Sequence, residues 1–305
     1  MPSTTALAFS GVVGACLTPF SSDGTVDEVA MRTQIEFMVG DSDAISIAAV
    51  EAAEYRLLSP AERRELIRMA ADAVGGRRPI IIGASAPTIG EVLELAELAA
   101  DVEAAAVQVL IPQRPWGAEP EGPELLAWFE EVAGACPLPI VAYHHPHTGA
   151  DPPLDVLASL SRVAGVAGFK DSSRDITRIG WLVDNIDRPG HVRYFTTMQP
   201  LLTTLLLGGS GAMMPPPATR IAGRIVAAFR TGDLASAAEE QRAFASFPGT
   251  WSRYGLTPLM KRAMIHCGIE MGAAAAPSPQ IPVALEEAIV SFVQQHIRPD
   301  TPGAG

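Results

Sequence analysis

A lysine closes the short apolar run from Val163 to Phe169, and a tyrosine closes another that runs from Pro139 to Ala142. These two residues, Lys170 and Tyr143, are of types that could do chemistry together. A buried ammonium is poorly solvated. Burial or a neighbouring cation therefore draws a lysine pKa down from about 10.4 toward neutrality and frees the amine as a nucleophile toward ketones. Addition gives a carbinolamine and then an iminium, whose positive nitrogen is an electron sink, while a phenol nearby can carry protons. Two plainer roles compete: a lysine stem lying along apolar surface with its head in water, and a tyrosine whose hydroxyl is satisfied locally in the core. The choice turns on whether both residues sit at one rim.

His144, His145 and His147 follow Tyr143 closely and raise the question of a metal. Neighbouring residues of an extended strand face opposite ways, so at most two of the three can converge, and no carboxylate or cysteine stands at ligand spacing beside them. They are expected to line the mouth of a site or to pack a loop, with no metal and no cofactor. One of them could act as an acid or base, because histidine titrates near neutral pH.

The elements that must position these residues alternate along the chain. Strand-like runs are expected at 11–17, 44–49, 79–83, 105–111, 139–143, 166–170, 192–196 and 211–214, with segments of helical period between them. Ser59-Pro60-Ala61-Glu62 offers an N-cap, a proline at the first helical position and a capping-box glutamate, and Thr88 to Glu91 repeats the box. Asp27 is expected to open the first helix, and Asp151-Pro152 another. Strands rich in Val, Ile and Ala on both faces, each followed by a helix, indicate a parallel sheet, and eight such units close into a (β/α)8 TIM barrel. The competing open sheet lacks a glycine-rich phosphate fingerprint after its first strand. Beyond Met214 only helical segments follow, at 224–230, 234–246, 258–267 and 283–297, with a frayed tail from Pro299 to Gly305. The expected division is a barrel over 1–222 and a C-terminal helical extension over 223–305.

In a barrel of this kind chemistry gathers at the carboxyl ends of the strands. Those ends are Thr18, Glu51, Gly83 with Ser85, Tyr143, Lys170, and Met213 with Met214. Composition narrows the partners. The chain has 305 residues, 48% of them hydrophobic, and can bury a large core. Its formal net charge of -12 excludes a phosphate-binding nucleic-acid face, which would need clustered Lys and Arg. Three scattered cysteines, Cys16, Cys136 and Cys267, fit a reducing compartment such as the cytoplasm better than a disulfide framework. The run Ala6 to Leu17 reads as the first strand rather than a signal-peptide core, since no basic residue precedes it and Thr18-Pro19-Phe20 turns. No stretch approaches the ~20 uninterrupted apolar residues of a membrane span.

With these residues in view, the sequence resembles the dihydrodipicolinate synthase and N-acetylneuraminate lyase family of Schiff-base-forming barrels. Gly11 to Phe20, Asp23-Gly24 with Asp27, Glu54 through Ser59, the Tyr143-His-His-Pro146 element, Phe169-Lys-Asp-Ser-Ser173 and Thr257-Pro258 with Lys261 carry the likeness over nearly the whole chain. The resemblance implies that Lys170 forms the imine and Tyr143 transfers protons. It also implies a barrel with terminal helices, assembled as a homotetramer, a dimer of dimers.

The departures are equally specific. Where the family usually has Gly-Thr-Thr-Gly-Glu, this chain has Val50-Glu51-Ala52-Ala53-Glu54. By the resemblance the second threonine helps hold the pyruvate carboxylate; Ala52 offers no hydroxyl, and an ionised Glu51 would repel a carboxylate. The first threonine links the catalytic tyrosine to another from a neighbouring subunit, whose place falls at Arg114. The arginine expected after Tyr-x-x-Pro is missing from His144-His-Pro-His147-Thr-Gly149. Ordinary lysine-pathway synthesis is therefore not expected. The expectation is a Schiff-base aldolase or dehydratase acting on a 2-oxo acid or related ketone, with an aldehyde acceptor as a second partner. Lys170 and Tyr143 would be catalytic, and Glu51, Ala52, Met213, His145 and His147 would bind substrate. Glu51 and Arg114 are expected to pair across subunits in place of the lost hydroxyl relay. The alternative is a catalytically silent barrel that binds a small ligand.

Overall fold

The computed structural model describes residues 6–115, 117–246 and 254–297. Eight parallel strands close into a barrel in the order β1 to β8. They are β1 (Gly11–Ala15), β2 (Ala44–Ile47), β3 (Ile80–Gly83), β4 (Ala106–Leu110), β5 (Ile140–His144), β6 (Val166–Asp171), β7 (Arg193–Thr196) and β8 (Gly211–Met214). The architecture is the expected (β/α)8 barrel with C-terminal helices. Nearly every strand residue is buried, because one face fills the barrel and the other meets helices. Val13, Ala44, Ile81, Ala106, Val141, Ala167, Phe195 and Met213 pack together inside it, small and large side chains interleaved as a closed interior requires.

The helices between strands begin where their caps dictate. Helix α1 (Glu28–Val39) starts at Asp27, whose carboxylate accepts from the Ala30 N–H at 2.9 Å. Both α2 (Pro60–Val74) and α3 (Ile89–Asp101) open on capping boxes, Ser59 with Glu62 and Thr88 with Glu91. Then come α4 (Gly122–Ala135), α5 (Leu154–Leu160), α6 (Ile176–Leu182), α7 (Leu201–Leu206) and α8 (Pro216–Arg230).

Several boundaries differ from the sequence reading. Asp151-Pro152 does not open α5, which starts at Leu154 with Pro153 at the cap. Pro152 and Pro153 hold the residue before each of them extended, so the helix cannot begin earlier. The segment 224–230 is the second half of α8, whose first turn takes Pro216 and Pro217 because proline has no N–H to lose there. Residue 222, where the barrel was expected to end, lies inside that helix. The later helices are Leu234–Gln241, Ala243–Ser246, Leu256–His266 and Val283–Phe292, the last continued by a wider turn over Val293–Ile297. They pack with α8, β1 and β8 in a second buried cluster. The tail from 299 to 305 lies outside the described residues. No described helix is long and apolar enough to cross a membrane.

At the end of β2 the chain turns sharply. Ala48 adopts a left-handed conformation at φ 51°, and a Cβ on Gly83 would lie 1.9 Å from the Ala48 carbonyl. Only glycine lets β3 pass so close to this turn, and the turn sends the next residues across the barrel mouth.

Candidate active site

Strands β5 and β6 pair with Tyr143 opposite Lys170 and His144 opposite Asp171. Side chains alternate along a strand, so the first pair and the second face opposite ways. Lys170 and Tyr143 are both buried, and the Lys170 Nζ stands 4.2 Å from the centroid of the Tyr143 ring. Burial pulls the Lys170 pKa down to about 7, against the opposing pull of Glu51. Burial pushes the Tyr143 phenol well above its ordinary value, opposed by a hydrogen bond with Ser172 and reinforced by Glu51. The arrangement is a neutral or readily neutralised amine beside a protonated phenol, which suits addition to a carbonyl and proton transfer.

The turn after β2 supplies the opposite wall. Glu51 begins a single 3-10 turn, Glu51–Ala53, and its carboxylate is held from two sides. The Tyr55 hydroxyl donates to Oε1 at 3.2 Å, and the Arg56 Nε lies 3.4 Å from Oε2. Tyr55 in turn is covered by the Arg63 guanidinium, 4.5 Å from its ring centroid. Arg63 is fixed by donating to the Gly83 and Ser85 carbonyls at 2.8 and 2.9 Å. Ala52 is buried, and its carbonyl accepts from Thr257 Oγ1 at 3.4 Å. Glu54 turns inward with φ 54°. Its Oε2 lies 2.6 Å from the Nζ of buried Lys261, and its Oε1 accepts from the Ala275 N–H at 2.6 Å.

The histidines divide between the two faces of β5. His145 is half-buried over Tyr143, with ring centroids 6.0 Å apart, and His147 stands 5.8 Å beyond it in an exposed position. Burial and then the Lys170 charge bring the His145 pKa down to about 4, so its ring is neutral near pH 7. His144 points the other way, into a buried cluster described below. Among the described residues no three His, Cys, Asp or Glu side chains are grouped as metal ligands. Met213 is part of the barrel interior.

Arg114, expected to reach Glu51 from a neighbouring subunit, has a partner within its own chain. Its Nη2 lies 2.6 Å from Glu124 Oε2, while Glu51 takes Arg56. Within one chain Glu51 and Arg114 are thus not paired: Arg56, five residues along and in the next 3-10 turn, Tyr55–Leu57, supplies a cation. Sequence reasoning also passed over Tyr55, Arg56, Ser172 and Arg174. Only the proximity of Arg56 to Glu51 in the chain hinted at one of them.

The fold is thus an eight-stranded parallel barrel with a buried amine and phenol at the carboxyl ends of neighbouring strands. The chain belongs to the dihydrodipicolinate synthetase family, whose profile matches residues 8–295, and members of that family are lyases of the class I aldolase type. It is 30% identical over 178 residues to the 4-hydroxy-tetrahydrodipicolinate synthase of Methanosarcina barkeri, a match over 58% of this chain and 60% of that relative. The chain thus spans about three fifths of the length of that curated relative. Its fold is similar to YagE, a prophage protein of the dihydrodipicolinic acid synthase family from E. coli K12 solved in complex with pyruvate. The TM-score is 0.86 at 23% identity, covering 95% of this chain and 99% of that one. It is similar also to N-acetylneuraminate lyase from Mycoplasma synoviae, with TM-score 0.80 at 22% identity, covering 94% and 98%.

Proposed function

We propose that this protein is a Schiff-base-forming lyase, an aldolase or dehydratase, that activates a 2-oxo acid or related ketone as an imine on Lys170. The observation that carries this reading is the buried Lys170 amine, with its pKa lowered to about 7, 4.2 Å from the Tyr143 ring. The free amine adds to the carbonyl carbon, and the carbinolamine loses water to leave an iminium. When the bond between the carbons alpha and beta to the iminium carbon breaks, its electron pair flows toward the iminium and forms an enamine. Tyr143 passes protons to and from the leaving oxygen. In the aldol direction the same enamine attacks an aldehyde.

Ordinary lysine-pathway condensation fits the site less well. Glu51 and Ala52 replace the hydroxyls that would hold pyruvate, and His147 stands in the loop where an arginine is missing. Family resemblance supports a homotetramer, and the scattered cysteines support a reducing cytoplasm as its location. Borohydride reduction with candidate keto acids, followed by intact-mass and peptide mapping, tests the reading. A ketone-derived adduct on Lys170 is expected, with pyruvate trapping poorly relative to ketones that have further polar handles. Absence of any adduct across a keto-acid panel would leave a ligand-binding barrel, the role that Glu51 beside the amine favours.

A further inference from the structure

Arg174 lies on the loop leaving β6, four residues past Lys170, and is exposed at the mouth. Among the described residues it has no ion pair or hydrogen bond, although acidic side chains outnumber Lys and Arg by 34 to 22. Arg178, one turn further on, is by contrast held by Asp151 at 3.0 Å. The Arg174 backbone is left-handed, at φ 61°, a conformation that residues with a Cβ seldom adopt and that tends to mark functional positions. A glycine would meet the turn more easily, yet this position carries a guanidinium.

The neighbours give that guanidinium a direction. Its charge bears on His145, whereas the charge that bears on Lys170 is that of Glu51. His145 also feels Lys170. Lys170, Tyr143 and His145 therefore form a path from the barrel interior toward the rim, and Arg174, exposed on the loop after β6, lies near enough to His145 for its charge to act there. A substrate whose carbonyl reaches Lys170 meets a negative wall on the β2 side and an unengaged cation on the β6 side.

We propose that Arg174 determines specificity at this site by gripping a distal carboxylate of the substrate while the carbonyl lies at Lys170, so that the substrate class is a ketone with a second acid group. The assignment rests on the imine reading for the position of the carbonyl. One guanidinium fork matches one carboxylate through two parallel N–H···O bonds. Among the described residues no second free cation is shown beside it to suit a phosphate, since His145 is neutral and Arg56 is engaged by Glu51.

The test compares 2-oxoglutarate with 2-oxopentanoate, which has the same chain length but ends in a methyl group. Reductive trapping on the natural protein should favour 2-oxoglutarate, and Arg174→Gln should lower that preference about tenfold or more. Arg174→Lys, which keeps the charge but not the fork, should lower it less. Arg174→Gly suits the left-handed turn and should show the same loss with an unchanged or raised melting temperature, which separates lost recognition from misfolding. Glutarate, which has no carbonyl, should bind the natural protein about tenfold or more tighter than Arg174→Gln by calorimetry.

An unchanged trapping preference together with equal or absent glutarate binding overturns the proposal. So does an Arg174-dependent preference for dihydroxyacetone phosphate over 2-oxoglutarate. If no keto acid labels Lys170, the imine reading falls, and glutarate binding alone decides the role of Arg174.

Discussion

His144 and Asp171 close the ends of β5 and β6 from outside the barrel, Nδ1 lying 2.6 Å from Oδ1, one residue beyond Tyr143 and Lys170 on the same two strands. Both strands run one residue further than their apolar runs suggested, and this contact is where the extra residues meet. Asp171 also accepts from the Tyr194 hydroxyl at 3.0 Å, the Ser173 hydroxyl at 2.7 Å and the Ser173 N–H at 3.1 Å. The His144 Nε2 lies 3.0 Å from Asp151, which also holds Arg178. The many bonds that converge on the Asp171 carboxylate fix the strand ends that carry the amine and the phenol.

Replacing His144 by Ala removes one partner from a fully buried carboxylate, which should cost about 1–3 kcal/mol in chemical denaturation. His145→Ala, on the other face of the same strand, should stay within about 0.5 kcal/mol. Equal losses from both would show that the cluster has no special role. Burial pushes the Asp171 carboxyl up, but His144, Ser173 and Arg178 outweigh it and the pKa ends below the ordinary value. A depressed carboxylate pKa gives stability that is present above the unfolded value, near 3.9, and is lost as pH falls through the folded one. The natural protein should therefore lose stability in acid below about pH 4, and Asp171→Asn should flatten that limb of the curve.

Lys170→Ala should fold normally and form no reducible adduct. In the natural protein the rate of trapping should rise with pH through about 7, as the ammonium becomes the amine, and level off above it. Rates following the ordinary lysine value near 10.4 would mean that the amine is not desolvated when it reacts.

Glu51 raises the Lys170 pKa, because a carboxylate favours the ammonium. Glu51→Gln should therefore move the midpoint of the trapping profile to lower pH and increase trapping at pH 6. Arg56 partly neutralises Glu51, so Arg56→Gln should move the midpoint the other way, and only while Glu51 is present. A cycle between Glu51→Gln and Arg56→Gln should be non-additive, whereas the cycle with Arg114→Gln should be additive within one chain. Additivity in both would separate Glu51 from the amine.

Lys261→Met leaves Glu54 as a buried carboxylate without its cation and should cost about 3–5 kcal/mol. Adding Glu54→Gln should recover much of that loss, which urea denaturation of the single and double variants would measure. A single variant as stable as the natural protein would show that water reaches Glu54.

The parts legible in the sequence were those that depend on local rules. The Ile80-Ile-Ile82 run reads as a doubly buried strand, Ser59 and Thr88 announce helix starts, and Lys170 and Tyr143 end apolar runs, which places them at a barrel rim. What was not legible depends on which side chains meet across loops. The contact of Glu51 with Arg56 follows from two consecutive 3-10 turns, and no spacing rule encodes them. Strand alternation already separated His144 from His145, but nothing in the spacing pointed to the buried Asp171 that His144 meets. Asp151 looked like a helix cap, but the two prolines after it delay the helix and leave its carboxylate beside His144 and Arg178.

The ion pair of Glu54 with Lys261, together with the Glu54 contact to the Ala275 N–H, ties the turn that bears Glu51 to the last third of the chain. That turn is therefore not a portable module. Transplanting residues 50–54 onto another barrel would strand a buried carboxylate unless Lys261 and the backbone near Ala275 travelled with them. In exchanges of segments between related barrels, the wall facing the amine and the terminal helices should therefore be inherited together.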